Sequence, residues 1–385
     1  MIAAGRKASS NRTLSRDEEA SGGGEREGGG FGGMPPLRDA HAFEISPGVR
    51  MPRLGLGTFK VRGEDATNVT LAALRAGCRH VDTASCYRNE AAIRDAIDAW
   101  NDETNAEFSA ADETSAAVFL TSKLAPSEMG DLARTREALF EMLARLGCLD
   151  ARETGLEDEK DAETRETSSG KPLDLLLIHW PAKAGASPDD ASHAAARRDA
   201  WHVLERARDL GYVRAIGVSN YTVSHLKEMR DDVLNVSEEN TGTQTPRLKS
   251  LPCVNQVELH PRCQQKELRA LCAELGVGVV AYSPLGCGEL LSDPRVVRCA
   301  DLITKELSVD RVTPAQALLA WSLRQKGVVA AVVKSGDPRR AAANVGKEGL
   351  AFALRLASNA SDGAFEELDE MDDGTHFCWD PSVVR

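Results

Sequence analysis

Residues 173–181 read LDLLLIHWP, an apolar run that stops at a histidine and is followed at once by Trp180-Pro181. A short apolar run bounded by a proline predicts a β-strand. A helical pattern follows over Ser192–Leu210, and another β-rich run follows at Ala215–Val218. Strand, helix and strand in this order are typical of the βαβ unit of a parallel sheet.

The same alternation continues on both sides of this unit, from Met51 onwards. Eight β/α units in a row predict an α/β fold with a single (β/α)8 TIM barrel, because eight parallel strands close such a barrel. A doubly wound open sheet is the alternative, but no GxGxxG motif follows any strand.

Asp337-Pro338 and Thr313-Pro314 predict capped helix starts. The predicted strands are Leu54–Thr58, His80–Thr83, Val118–Thr121, Leu173–His179, Ala215–Val218, Cys253–Glu258, Gly278–Ser283 and Val328–Lys334. The predicted helices are Asp65–Ala76, Glu90–Trp100, Leu132–Leu146, Ser192–Leu210, Val223–Arg230, Gln264–Leu275 and Pro314–Lys326, with a last helix from near Pro338.

The two ends of the chain differ in composition. Residues 1–36 contain three glycine clusters broken by charges, and we expect a disordered Gly/Ser-rich tail there, since such a segment buries too little apolar surface. Residues 37–385 are then the barrel domain. The basic, serine-containing start at Met1–Arg16 weakly resembles an organelle transit peptide. A plain flexible extension is the preferred interpretation, so the expected location is cytoplasmic, with an organelle as the alternative.

Three polar stretches interrupt the β/α units, at Asn101–Ser115, Asp150–Gly170 and Asn235–Ser250. Each falls between a helix and the next strand. In a barrel these connections lie at the N-terminal face, away from the chemistry. We interpret them as solvated surface insertions.

Bulk composition excludes several classes of protein. The 385 residues are 42% hydrophobic and carry a formal net charge of −12, which argues against a binder of nucleic acid or anionic membranes. The sequence contains no run of 18 apolar residues, so no transmembrane helix is expected. The nine cysteines form no CxxC pair, which indicates reduced thiols and neither a disulfide framework nor a metal site. The expected protein is a monomer that acts on a small molecule.

Reactive side chains follow several predicted strands. Asp82 and then Tyr87 follow the second strand, Lys123 the third and His179 the fourth. The carboxyl ends of barrel strands share one face, so these groups are expected to converge. Such a set suits carbonyl reduction, with Tyr87 as proton donor and His179 orienting the carbonyl oxygen. Lys123, paired with Asp82, is expected to lower the pKa of Tyr87.

Eight short motifs follow one another along the chain: GLGTFK at 55–60, DTASCY at 82–87, TSK at 121–123, LIHWP at 177–181, GVSN at 217–220, QVELHP at 256–261, AYSPLG at 281–286 and KS at 334–335. This ordered series resembles the aldo-keto reductase family over roughly residues 43–385. The family's catalytic tetrad matches Asp82, Tyr87, Lys123 and His179.

The resemblance also implies NADPH/NADP+ as cofactor and assigns residues to it. Those matching cofactor contacts are Gly57, Thr58, Ser219, Asn220, Gln256, Tyr282, Ser283, Leu285, Lys334, Ser335, Arg340 and Asn344. Those matching substrate contacts are Phe59, His179 and Trp180. Lys334 and Arg340 match the pair that binds the 2′-phosphate. Asp337 nearby is interpreted as a helix cap, and Ala343 replaces a family glutamate.

The expected function is therefore NADPH-dependent reduction of an aldehyde or ketone. One alternative is a cofactor-binding regulatory subunit of the potassium-channel β type, and another is a structural or storage use of the fold. The sequence leaves aldehydes, sugars and ketosteroids open as substrates. Two aromatic residues in the C-terminal tail, Phe377 and Trp379, are candidates to line the pocket.

Overall fold

A closed barrel of eight parallel strands forms the centre of the molecule. The computed structural model describes residues 41–105, 117–149, 171–234 and 247–384. The strands are β1 Ala42–Ser46, β2 Val49–Pro52, β3 Leu54–Gly57, β4 His80–Asp82, β5 Phe119–Leu124, β6 Leu173–Ile178, β7 Val213–Ser219, β8 Val254–Glu258, β9 Gly278–Tyr282 and β10 Val328–Lys334. The barrel order is β10-β3-β4-β5-β6-β7-β8-β9, with every neighbouring pair parallel, which confirms the predicted TIM barrel.

The barrel strands are buried on both faces, as their continuous apolar runs predict. All six residues of β6 are buried, and its only acid, Asp174, pairs with Arg214 at 2.7 Å. Alternate residues point inward, where Leu175, Leu177 and Val280 belong to one apolar cluster. The other faces of the strands pack against the helices in a second, larger cluster.

A β-hairpin that the sequence analysis missed lies at the N-terminal side of the barrel. Strands β1 and β2 pair antiparallel around Gly48, whose φ of 72° favours glycine. Phe43 and Met51 of the hairpin join the apolar cluster of the barrel interior. Just after it, the buried Arg53 donates to the carbonyls of Leu323, Val328 and Val329, which ties the hairpin to the last strand. The hairpin thus closes one end of the barrel and leaves the other end for chemistry.

The helices surround the barrel close to the predicted positions. They are α1 Gly63–Arg75, α2 Glu90–Asn105, α3 Leu132–Arg145, α4 Ser192–Asp209, α5 Val223–Leu234, α6 Lys266–Leu275, α7 Pro294–Glu306, α8 Pro314–Arg324, α9 Pro338–Val345, α10 Lys347–Asn359 and α11 Asp362–Asp369. Both predicted caps are confirmed: Thr313 accepts from the Gln316 N–H, and Asp337 accepts from the Arg340 N–H.

Three helical expectations were incomplete. Helix α7 was not predicted, and Cys299 lies within it. The helix expected from Pro338 is divided into α9, α10 and α11. The first break falls at Gly346, where an added Cβ would come within 2.5 Å of the Ala342 carbonyl oxygen. Helix α2 reaches Asn105, so the predicted insertion Asn101–Ser115 begins inside that helix.

The remaining parts of the three insertions, and the N-terminal tail, lie almost wholly outside the described residues. Lys249 and Ser250 are the described end of the third stretch, and both backbone N–H groups donate to Glu205. Within the described ranges, no helix combines the length and apolar character needed to cross a membrane.

Candidate active site

A buried ion pair lies at the carboxyl ends of β4 and β5. Lys123 Nζ donates to Asp82 Oδ1 at 2.5 Å and to the Thr83 carbonyl at 2.9 Å. The two residues are 1% and 3% exposed. Gln256 Nε2 donates to the second Asp82 oxygen at 2.8 Å. Each charge is therefore compensated by close partners, as a buried charge requires.

The turn that carries Tyr87 is held by a network around Asn89. Tyr87 ends a short 3-10 turn, Ser85–Tyr87, between β4 and α2. The Asn89 side-chain amide donates to the carbonyls of Thr58 and Val61, and its oxygen accepts from the Thr83 hydroxyl at 2.6 Å. These bonds fix the turn against the loop after β3.

The environment of Tyr87 raises the pKa of its phenol well above the usual value, through burial first and then the negative charge of Asp82. The expected lowering of this pKa by Lys123 was therefore wrong. Lys123 Nζ lies 5.4 Å from the centre of the Tyr87 ring and directs its bonds to Asp82 and Thr83 instead. Tyr87 accordingly keeps its proton at neutral pH and has one to donate.

His179 faces Tyr87 as a neutral imidazole. Its backbone N–H donates to the Leu124 carbonyl, and its ring lies edge-on to the Tyr87 ring, 5.6 Å between centres. Burial, followed by the charge of Lys123, lowers its pKa well below the usual value. A neutral ring carries one N–H donor and one acceptor nitrogen. Cys86 Sγ lies 3.5 Å from Nδ1, which leaves Nε2 as the nitrogen without a partner among the described residues.

The opposite wall is built from the ends of β7, β8 and β9. Asn220 adopts a φ of 63°, a left-handed conformation that asparagine tolerates. Its side chain donates to the His179 carbonyl and accepts from the Tyr282 hydroxyl at 2.8 Å. The Ser219 hydroxyl donates to the Gln256 carbonyl at 2.8 Å. The wall is thus linked to the imidazole side through hydrogen bonds.

A cavity of about 80 Å³ lies between these walls. It brings together three members of the predicted tetrad, and Lys123 lies beneath it against Asp82. The lining residues are Gly57, Thr58, Phe59, Asp82, Tyr87, His179, Trp180, Ser219, Asn220, Gln256, Tyr282, Ser283, Val332, Lys334, Cys378 and Trp379.

Four residues of the expected cofactor set lie away from this lining. Leu285 packs against the hydrophobic core, and the Ser335 hydroxyl bonds to the backbone of Asp337. Arg340 and Asn344 lie on α9, which begins just after β10.

The C-terminal tail covers the cavity, and Glu258 anchors it. Glu258 Oε1 accepts from the backbone N–H groups of Phe377 and Cys378, and His376 Nδ1 lies 2.9 Å from Oε2. Beyond this anchor, Trp379 packs against Phe59 at 5.6 Å and Trp180 at 6.1 Å. Phe377, the other tail aromatic, packs on His260 and does not line the cavity.

The anchor is strongly charged. Burial alone would raise the pKa of Glu258, but hydrogen bonds from His260, His376 and the Phe377 N–H lower it to about 2. Hydrogen bonds to Cys263 and Glu258 raise the pKa of His376 to about 10. The tail is therefore held by an imidazolium and a carboxylate at neutral pH. Glu258 ends the predicted strand Cys253–Glu258, but its partner His376 lies 118 residues away, and nothing near Glu258 in the sequence indicates that contact.

Comparison with known proteins identifies the family. Residues 53–355 match the model of the aldo/keto reductase family. An aldo-keto reductase of Mycolicibacterium vanbaalenii is 36% identical over 86% of this chain and 92% of its own, and one of Mycobacterium avium is 35% identical over 86% and 90%. The crystal structure of the protein named Gox0644 covers 88% of this chain and 97% of its own with a TM-score of 0.62 and 26% identity.

A mutant of Gox0644 has also been solved in complex with NADPH. It is 28% identical, has a TM-score of 0.59, and covers 87% of this chain and 95% of its own. The matches extend over most of the chain and agree with the barrel and with the order of the motifs. On this evidence the chain belongs to the aldo/keto reductase family and is an oxidoreductase.

Proposed function

We propose that this protein reduces an aldehyde or ketone to an alcohol with NADPH, using Tyr87 as the acid. The observation that carries the proposal is the convergence of Tyr87 and His179 on one cavity, above the buried Asp82–Lys123 pair. The substrate is a small carbonyl compound. The monomeric state and the cytoplasmic location stay predictions.

The side chains present suit a nicotinamide cofactor. The side-chain oxygen of Gln256 lines the cavity and has no hydrogen-bond partner among the described residues. It is an acceptor of the kind that the amide N–H groups of a carboxamide require. At the rim, the exposed Lys334 and Arg340 form no salt bridge within the described part of the chain, so both positive charges are available to an anion. When bound, NADPH supplies the hydride.

Each tetrad residue has a separate task. Tyr87 holds a proton at its hydroxyl and donates it to the carbonyl oxygen as negative charge develops there. The neutral His179 orients that oxygen with an N–H bond. Lys123 places a positive charge near the phenolate that remains, and Asp82 fixes Lys123 in position. Phe59, Trp180 and Trp379 form an aromatic rim that excludes water from the reaction.

Tyr87→Phe tests the proposal because it removes the proton and keeps the ring. We expect turnover of an aldehyde panel with NADPH to fall by about 10²–10⁴, while NADPH still binds. Tyr221→Phe is the matched control, since the Tyr221 hydroxyl is buried without a partner in the described residues. If Tyr87→Phe turned over the aldehydes at a rate within a few-fold of wild type, Tyr87 would not be the acid. NADPH binding without turnover of any carbonyl by the wild type would favour a regulatory subunit instead.

A further inference from the structure

Two cysteine thiols lie in contact at the rim of the cavity. Cys287 Sγ and Cys378 Sγ are 3.5 Å apart, and both are free. Cys287 belongs to the 3-10 segment Gly286–Ser292 after β9, and Cys378 belongs to the C-terminal tail. The Ser283 hydroxyl lies 3.2 Å from Cys378 Sγ and 3.8 Å from Cys287 Sγ. The pair therefore joins the loop that carries Ser283 to the tail that carries Trp379.

Exposure and backbone geometry both favour a reaction between them. Cys287 is exposed, whereas the other cysteines are buried or half-buried apart from Cys86. Its φ of 55° is unusual for a residue with a side chain, and the glycines on either side, Gly286 and Gly288, also have positive φ. A disulfide has an S–S distance of about 2.05 Å, so the sulfurs must approach by roughly 1.5 Å. A short loop between two glycines can supply a movement of that size.

We propose that Cys287 and Cys378 form a reversible disulfide when the protein meets a hydroperoxide. The exposed Cys287 reacts first, because burial raises the pKa of Cys378 to about 12 and keeps it as a thiol. Attack of the Cys287 sulfur on the peroxide breaks the O–O bond and gives a sulfenic acid and an alcohol, or water from hydrogen peroxide. Cys378 then attacks that sulfur, the S–S bond forms, and water leaves. The two thiols supply the two electrons that reduce the peroxide, and an added dithiol reverses the change.

The disulfide would hold the tail closed. Cys378 lies between the Glu258 anchor and Trp379, which lines the cavity. The cavity of about 80 Å³ is smaller than the ~300–1,000 Å³ usual for ligand sites. Ligand entry therefore requires the tail or the Cys287 loop to move, and a covalent link between them opposes both movements. This consequence rests on the proposed function, whereas the disulfide itself does not.

The disulfide is tested by mass spectrometry on the full chain. The protein is treated with hydrogen peroxide near stoichiometry, its free thiols are alkylated, and it is digested without reduction. We expect a linked peptide that contains Cys287 and Cys378 and disappears with dithiothreitol. Cys287→Ser and Cys378→Ser should each abolish it, and Cys86→Ser, which removes the other exposed thiol, should retain it. Absence of the linked peptide, or linkage of either cysteine to Cys86 instead, would overturn the proposal.

Turnover with NADPH and an aldehyde tests the consequence. Oxidised wild type should lose most of its turnover and regain it with dithiothreitol. The turnover of Cys378→Ser should be the same before and after treatment with peroxide. Full turnover by protein that carries the linked peptide would overturn the closing role. A reduced protein without turnover on any carbonyl would count against the proposed function, and the linked peptide would still decide whether the disulfide forms.

Discussion

The buried Asp82–Lys123 pair gives a prediction about stability that is independent of any assay of activity. Lys123→Met removes the 2.5 Å bond to Asp82 and leaves that carboxylate with Gln256 as its remaining side-chain partner. Breaking a buried pair in this way typically costs about 3–5 kcal/mol, because an unpaired charge stays buried. Because the entropy of unfolding grows with chain length, a protein of this size loses roughly 1–2 °C per kcal/mol, and the melting temperature should fall by about 3–10 °C.

A double-mutant cycle separates pairing from packing. Asp82→Asn alone leaves the Lys123 ammonium with the Thr83 carbonyl and no negative partner, so it should also destabilise the fold. The double variant Asp82→Asn/Lys123→Met has no unpaired charge. Its loss of unfolding free energy should therefore be well below the sum of the losses in the two single variants. Contacting charged residues show coupling of about 0.5–3 kcal/mol, and burial places this pair near the upper end.

The measurement is urea unfolding of the four proteins, followed by tryptophan fluorescence. The exposed pair Arg134–Glu137 serves as a control, and the same cycle there should give much weaker coupling. Losses that simply add in the Asp82/Lys123 cycle would show that the two charges do not stabilise one another. Lys123 would then be buried because its alkyl chain packs well, and the proposed role of its positive charge near Tyr87 would be contradicted.

Two further predictions concern the tail and the cofactor. The folded pKa of Glu258 is lowered to about 2, so its contribution is present above its usual value of about 4.3 and is lost as the pH falls toward 2. The raised pKa of His376 gives the opposite sign: its contribution is present below about 6.5 and is lost as the pH rises through about 10. The protection of the tail amides from hydrogen exchange, measured relative to their intrinsic rates, should therefore fall over that range. In Glu258→Gln the tail amides should be poorly protected at every pH. Arg340→Ala should weaken NADPH by about tenfold or more in a fluorescence titration and leave NADH nearly unchanged, since a charge-assisted bond contributes roughly 1.5–3 kcal/mol and NADH has no 2′-phosphate; an equal loss for both cofactors would contradict this assignment.

The barrel could be predicted because its strands carry their own signal. Leu173–Ile178 is apolar except for Asp174, and the residue that follows, His179, is polar. That change from apolar to polar marks the carboxyl end of a strand, where barrel enzymes place their reactive groups. The hairpin Ala42–Pro52 was missed because two strands of four and five residues, broken by charges, carry little periodicity. Helix α7 was missed although the sequence carries its signal. Asp293-Pro294 is a capped helix start, and Val296, Cys299, Ala300 and Ile303 recur at helical spacing on one buried face.

The covering of the site depends on contacts between distant parts of the chain. Glu258, His260 and Cys263 form one local group, whereas His376 joins them only after the chain has closed the barrel. Nothing in the sequence near Glu258 says that a tail segment will bind there. The same holds for Cys287 and Cys378, which are 91 residues apart and meet only at the rim.

The error over Tyr87 follows from the same limit. The sequence identified a lysine and a tyrosine that converge, and a cation near a phenol should lower its pKa. It could not show that Asp82 takes the Lys123 ammonium, or that burial of Tyr87 disfavours the phenolate. Because the pair is nearly neutral as a unit, burial dominates and the phenol stays protonated. For an acid that must carry its proton until charge develops on the substrate oxygen, this balance is an advantage: the positive charge of Lys123 remains beside Tyr87 for the moment when the proton has gone.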